Sequence, residues 1–267
     1  MKRMFLTLAI VLTLLSISVG TAQAVTNGVP DGSNHPYVGL LIFTDGAGYW
    51  RCTGSLLSPT VVLTAGHCTE GAIHAWVTFD THVARGTLPL ADFLASGPFI
   101  TGEAHTNPDF CIGCGNGLVR FDTNDVGVVT LDQPAPVTVY AQLPQPGLVN
   151  TLTMGTQVDI VGYGVQQRVV GGGKPVWVGT FTRYYAPSQF VASNDRISDA
   201  FLKLSANPSQ GKGGTCFGDS GGPDLLGGTN IILGVNSFVT NGNCAGVTYS
   251  QRADLPNILA FVESFLQ

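Results

Sequence analysis

The chain has 267 residues, with 12 Lys and Arg against 17 Asp and Glu and a charged fraction of only 11%. With 44% apolar residues and 35 glycines, the composition excludes a disordered chain and fits one large β domain or two small ones. No basic stripe interleaved with aromatic residues is present, so nucleic acid is not an expected partner.

From the N-terminus, Lys2 and Arg3 precede an almost wholly apolar run over residues 4–19, and Ala22-Gln23-Ala24 supplies small residues at a cleavage point. The pattern predicts a secretory signal over residues 1–24 and Val25 as the first mature residue, so the protein is expected outside the cell. The apolar run is short for a membrane span. Nothing after residue 24 is long and apolar enough to cross a bilayer, and no membrane contact is expected after cleavage. Loss of the leader leaves 243 residues and takes the net charge from −5 to −7.

Beyond Val25, short β-prone segments alternate with turn residues. They cover residues 37–43, 54–57, 60–64, 73–79 and 126–131, then 158–161, 176–181, 201–204 and 231–238. Residues 133–149, rich in Pro and Gly, read as a connector between two all-β units, residues 25–140 and 141–267. Only the tail reads as a helix. Asp254 serves as its N-cap and Pro256 fits its first turn, while Leu255, Ile258, Leu259, Val262, Phe265 and Leu266 recur at helical spacing. Its apolar face is expected to pack on the second unit. Gly171-Gly172-Gly173-Lys174 is a hairpin tip and not a phosphate loop, because Pro175 stands where Ser or Thr is required.

Six Cys in an exported chain are read as three disulfides. Cys111 and Cys114 form a CxxC, but no second CxxC or HxxxH completes a zinc set. A redox pair wants a helix N-terminus, whereas this one sits among Gly113, Gly115 and Gly117, so it reads as a loop staple. No metal site and no cofactor are expected.

Chemistry concentrates in Gly218-Asp219-Ser220-Gly221-Gly222-Pro223. Glycines on both sides of a Ser permit tight turns and close approach of a carbonyl to the main chain. The N–H groups of Gly218 and Ser220 are the expected oxyanion donors, each worth about 3–4 kcal/mol in barrier height. A Ser hydroxyl is a poor nucleophile until a base takes its proton. The same residues fit the G-x-S-x-G elbow of lipases and esterases, whose His follows the Ser. Here all five His, at 35, 67, 74, 82 and 105, precede Ser220, which argues against that class.

Among the five, His67 is set apart by Leu63-Thr64-Ala65-Gly66-His67-Cys68, a β segment ending in small residues and a Cys. A bridge from Cys68 to Cys52 would hold that corner. The other four His read as surface or turn residues. Asp125 opens the apolar run 126–131, where an ionised carboxylate must find hydrogen bonds, and a proton from His67 would supply one. Asp122 and Asp132 are the alternatives and read as solvated loop residues.

These three blocks, in the order His, Asp, Ser, resemble the signature blocks of the chymotrypsin/trypsin family. Val25-Thr26-Asn27-Gly28 is similar to the mature start of that family, Val161-Gly162-Tyr163-Gly164 to a strand opening its second barrel, and Val235-Asn236-Ser237-Phe238 to the strand lining its primary specificity pocket. The resemblance implies two Greek-key antiparallel β-barrels with a C-terminal helix and a secreted serine endopeptidase with His67, Asp125 and Ser220 as catalytic residues. It also implies Cys52–Cys68 and Cys216–Cys244 disulfides, a Ser237 hydrogen bond to Asp125, and an activating pair between the Val25 ammonium and Asp219. Gly214 stands where trypsin-like members carry Asp, Thr215 is nearby, and Val239 replaces a frequent Gly beyond Ser237. A pocket for a small or medium apolar side chain is therefore expected. The expected partners are protein or peptide substrates, on a monomer. The competing reading is a catalytically inactive relative acting as a secreted binding module.

Overall fold

The computed structural model describes residues 25–114, 122–165, 167–169, 176–178, 180–192 and 199–266. The expected leader and the Gly171–Lys174 tip lie outside them. Strands dominate: β1 (Val29–Pro30), β2 (Val38–Thr44), β3 (Tyr49–Ser58), β4 (Val61–Thr64), β5 (His74–Thr78), β6 (Ile100–Thr106) and β7 (Gly127–Leu131) come first. Then follow β8 (Gln157–Gly162), β9 (Gln167–Val169), β10 (Val176–Val178), β11 (Tyr184–Ala192), β12 (Phe201–Ala206), β13 (Pro223–Leu226), β14 (Ile232–Val239) and β15 (Gly246–Arg252). The α-helices are short: α1 (Gly66–Thr69), α2 (Leu90–Ser96) and α3 (Pro256–Glu263).

Two closed antiparallel barrels result. The first runs in the order β2-β3-β4-β7-β6-β5, and the second closes β8-β11-β12-β15-β14-β13, with β1 added at β11. Closure removes free edges, which suits a chain with few charges to guard them. The β2–β3 hairpin shows how the register is set. Asp45 Oδ1 accepts the N–H groups of Ala47 and Gly48 at 2.9 and 2.8 Å, so an Asx turn reverses the chain. Pairing from Thr44↔Tyr49 to Val38↔Ser55 then follows.

Chain ends cross between barrels. β1 pairs with β11 of the second barrel, whereas α3 lies against the first. Ile258 and Val262 join the cluster containing Val128 and Val129, and Phe265 covers His105 of β6 with ring centroids 4.9 Å apart. The tail, expected to pack on the second unit, thus reaches the first as well, in an apolar cluster that also holds Ile232 and Val235 of the second barrel. Asp254 does not cap that helix either: its carboxylate is spent on buried Arg252, at 2.8 Å, and on the Val149 N–H. A buried guanidinium without a carboxylate costs more than a missing cap.

Arg183 ties the barrels together. Fully buried, it donates to Asp31 at 2.7 Å, to the carbonyls of Val38 and Phe79 in the first barrel, and to the Tyr163 hydroxyl in the second. Asp31 in turn pairs with His35 at 2.5 Å, so His35 is part of this lashing and not a surface residue. Strands β6, β11, β13 and β15 fall outside the expected segments. β11 and β15 carry buried Ser, Gln and Arg whose partners only barrel closure supplies, and β13 carries the buried Asp224. Of the expected strand over 176–181, Val176–Val178 forms β10, and Phe181 packs on Phe93 beside the first barrel.

Candidate active site

His67 opens from α1, whose single turn follows directly on β4. The turn packs closely at its start: a Cβ on Gly66 would meet the Phe110 ring at 3.0 Å. Cys68, next in the chain, is bonded to Cys52 of β3, with a Cα separation of 6.3 Å. Trp50 donates its indole N–H to the Cys68 carbonyl at 2.8 Å. The ring is thereby fixed at its base while 28% of the side chain stays open to solvent.

Asp125 stands at the entry to β7 and is wholly buried. It accepts the His67 backbone N–H at 2.8 Å and the His67 ring Nδ1–H at 2.8 Å, and the Ser237 hydroxyl donates to its Oδ2. Burial alone would raise the carboxyl pKa, but the His67 charge and these hydrogen bonds hold it below the ordinary carboxylate range. The His67 ring answers in the opposite direction. Desolvation pulls it down, and the Asp125 carboxylate outweighs this and lifts it above 6.5. With Nδ1 committed to Asp125, Nε2 is the nitrogen left for proton transfer.

Ser220 sits in the turn between the barrels. Its carbonyl accepts the Thr53 N–H at 2.8 Å from the first barrel, and the Gly221 N–H donates to the Asn236 carbonyl at 2.8 Å in the second. Gly218 and Gly221 adopt φ of +97° and +80°. A side chain at Gly221 would also strike the Thr64 hydroxyl at 2.1 Å, so this turn requires glycine. Among the described residues the N–H groups of Gly218 and Ser220 donate to no protein acceptor. Two adjacent free donors beside a hydroxyl suit a developing oxyanion.

Asp219 turns away from this surface into the second barrel and is wholly buried. Its two oxygens accept the Gly164 and Cys216 N–H groups at 2.7 and 2.9 Å. Burial pushes its carboxyl up to about 7, against the pull of those two hydrogen bonds and of Arg51. Val25 is buried in the same barrel, and the next residue, Thr26, exchanges backbone hydrogen bonds with Gly214.

A pocket of about 220 Å³ adjoins Ser220. Thr215, Ser237 and Val239 line it, together with Asn236 and Phe238 of the segment 235–238 and with Phe217, to which the sequence assigned no role. Gly214 lies behind it: a Cβ there would fall 2.3 Å from that of Ala206. The Cys216–Cys244 disulfide borders the pocket, and Cys111–Cys114 closes a separate loop. Cys52, Cys68 and His67 bring two sulfurs and a ring nitrogen within 4.8 Å of one another. The sulfurs are joined as a disulfide and carry no thiolate charge, so the trio holds the ring instead of binding an ion. His74 and His82 meet Trp76 and Thr182, away from the pocket lining. His105, expected at the surface, instead bonds Thr130 across β6 and β7.

Comparison with known proteins agrees with this architecture. Residues 25–260 match the family model described as Trypsin. Brachyurin of Leptuca pugilator is 29% identical over 85% of this chain and 88% of its own length. Chymotrypsin of Phaedon cochleariae is 26% identical, over 86% and 75% respectively. Among solved structures, that of HL collagenase superposes with a TM-score of 0.66 at 20% identity, covering 93% of this chain and 98% of the other. The fold is thus shared along nearly the whole length, and the family match spans both barrels. The chain belongs to the trypsin family and is a serine endopeptidase.

Proposed function

We propose that this endopeptidase is secreted and cleaves peptide bonds through an acyl-enzyme on Ser220, after a small or medium apolar side chain. The observation that carries the proposal is the buried Asp125 carboxylate, bonded to both the backbone and the ring of His67, whose neighbour Cys68 brings its sulfur to 3.8 Å from the Ser220 carbonyl oxygen. In this reading His67 Nε2 takes the Ser220 Oγ proton as Oγ bonds to the substrate carbonyl carbon. The carbonyl oxygen becomes an oxyanion that accepts from the Gly218 and Ser220 N–H groups. Collapse breaks the C–N bond, and His67 returns the proton to the departing amine. Water then repeats the sequence against the acyl ester and frees Ser220.

Activation follows from the buried Asp219. Cleavage before Val25 would provide an ammonium for a carboxylate that otherwise has only backbone donors and the distant pull of Arg51. The leader ends at that bond, so export itself would yield the active form. The specificity reading rests on the pocket walls: Phe217, Phe238 and Val239 are apolar, and no acidic residue among the described ones lines it. A proteomic cleavage profile of the protein beginning at Val25 tests the whole proposal. Cleavage after small or medium apolar residues is expected; cleavage chiefly after Arg would overturn the specificity.

A further inference from the structure

Arg51 lies in β3, one residue before Cys52, and its guanidinium rests against the oxyanion turn. Its Nε and Nη2 fall 2.7 and 3.2 Å from where a Cβ on Gly218 would stand. Its Cζ lies 5.3 Å from the centre of the Phe181 ring. Among the described residues no hydrogen bond or ion pair engages the guanidinium. Burial depresses its pKa, and the only charge opposing that shift is Asp219, whose oxygens are already bonded to Gly164 and Cys216. A partly buried cation with no partner is costly unless something else supplies the anion.

Arg51 also lines a cleft of about 200 Å³ with Arg85, Tyr49, Trp50, Leu90 and Phe181. Arg85 is oriented by its Nε–H, which donates to the Leu88 carbonyl at 2.9 Å. Among the described residues no acidic side chain lines the cleft, in a chain holding only 12 Lys and Arg. Two arginines at one cleft, among aromatic residues, suit a carboxylate on a short side chain.

Its position fixes which part of a substrate would reach it. The pocket at Thr215 and Asn236–Val239 lies on the second-barrel side of Ser220. The Arg51 strand lies on the other, bonded through Thr53 to the carbonyls of Ser220 and Gly218 and through Cys52 to the residue after His67. His67 delivers a proton to the leaving amine, so the departing segment passes along this strand. We propose that Arg51 and Arg85 form a subsite for an Asp or Glu side chain at the first or second residue after the scissile bond. The inference rests on Ser220 being the nucleophile for its direction, and on the cleft alone for its charge.

The test uses quenched peptides identical but for Glu, Gln or Lys at those two positions. The expected order of kcat/KM is Glu, then Gln, then Lys, with Glu over Gln by about tenfold, the scale of one charge-assisted pair. Arg51→Gln and Arg85→Gln should each shrink that ratio toward unity, as should high salt. The Glu and Gln peptides are also titrated onto Ser220→Ala, which reads binding without turnover. Equal affinities there, or a ratio unchanged in both Arg variants, overturn the subsite. Failure of the wild type to cleave any peptide, with Glu still bound more tightly, would sink the catalytic reading and leave the subsite standing.

Discussion

The Asp125 carboxylate grips His67 twice, by its backbone N–H and by its ring Nδ1–H, each at 2.8 Å. The double hold fixes both the position of the residue and the tautomer of its ring. Asp125→Asn would present an amide to Nδ1 and favour the wrong tautomer. A drop in kcat of about ten-thousandfold is expected, with the fold intact by circular dichroism. A loss under tenfold would remove Asp125 from the catalytic set.

Ser220→Ala should abolish peptide hydrolysis and leave the melting temperature close to that of the parent, because the hydroxyl has no structural hydrogen bond among the described residues. A fluorophosphonate probe should label the parent at Ser220 alone. A folded protein that resists the probe would favour the inactive binding module.

The acid limb of the rate profile reports His67. Because Asp125 lifts the ring pKa above 6.5, half-maximal kcat/KM is expected above that pH, with activity lost as the ring protonates on acidification. A midpoint below 6.5 would contradict the coupling.

Protein beginning at Val25 should be active, and protein retaining one extra residue should not. An ammonium paired with Asp219 has its pKa raised, so its contribution is complete below the ordinary value and vanishes as pH rises through the folded one. An alkaline limb is therefore expected. Asp219→Asn should destabilise the active form by about 3–5 kcal/mol. N-terminal sequencing and rate against pH check both statements; full activity with a blocked N-terminus would refute the pairing.

Asp224, in β13, is wholly buried, and both of its oxygens lack a hydrogen-bond partner among the described residues. Burial pushes its carboxyl up to about 7, with Ser250 pulling the other way. A folded pKa above the unfolded one means the stability is complete below about pH 4 and is lost as pH rises toward 7, at about 1.4 kcal/mol per unit. Asp224→Asn should stabilise the protein at pH 8 by about 2–4 kcal/mol and do little at pH 4. Urea denaturation at the two pH values decides; equal effects at both would show that the carboxyl is paired after all.

Much of the site was legible because its residues are local exceptions. Ser220 lies between glycines that the turn requires, His67 precedes a bridged Cys, and Asp125 is a charge at the mouth of an apolar strand. Ser237 was reached only through the family resemblance. So were Asn236 and Phe238, whereas Phe217 carried no local signal, since an aromatic beside a turn reads as ordinary until its neighbours are known. Arg51 was missed for the same reason. Its meaning comes from Gly218, Phe181 and Arg85, all more than 30 positions away in the chain.

Composition, short β segments and three motifs in order were enough to establish an all-β chain built to activate a serine. Tertiary structure decided the rest: that α3 crosses to the first barrel, that Asp254 serves Arg252 and not the helix, and that Arg183 and Asp31 lash the barrels together. Hydrophobic periodicity reports which face of a strand is buried, a local property. The partner of a buried charge is set by barrel closure, which joins residues such as Asp31 and Arg183 that no sequence window contains together.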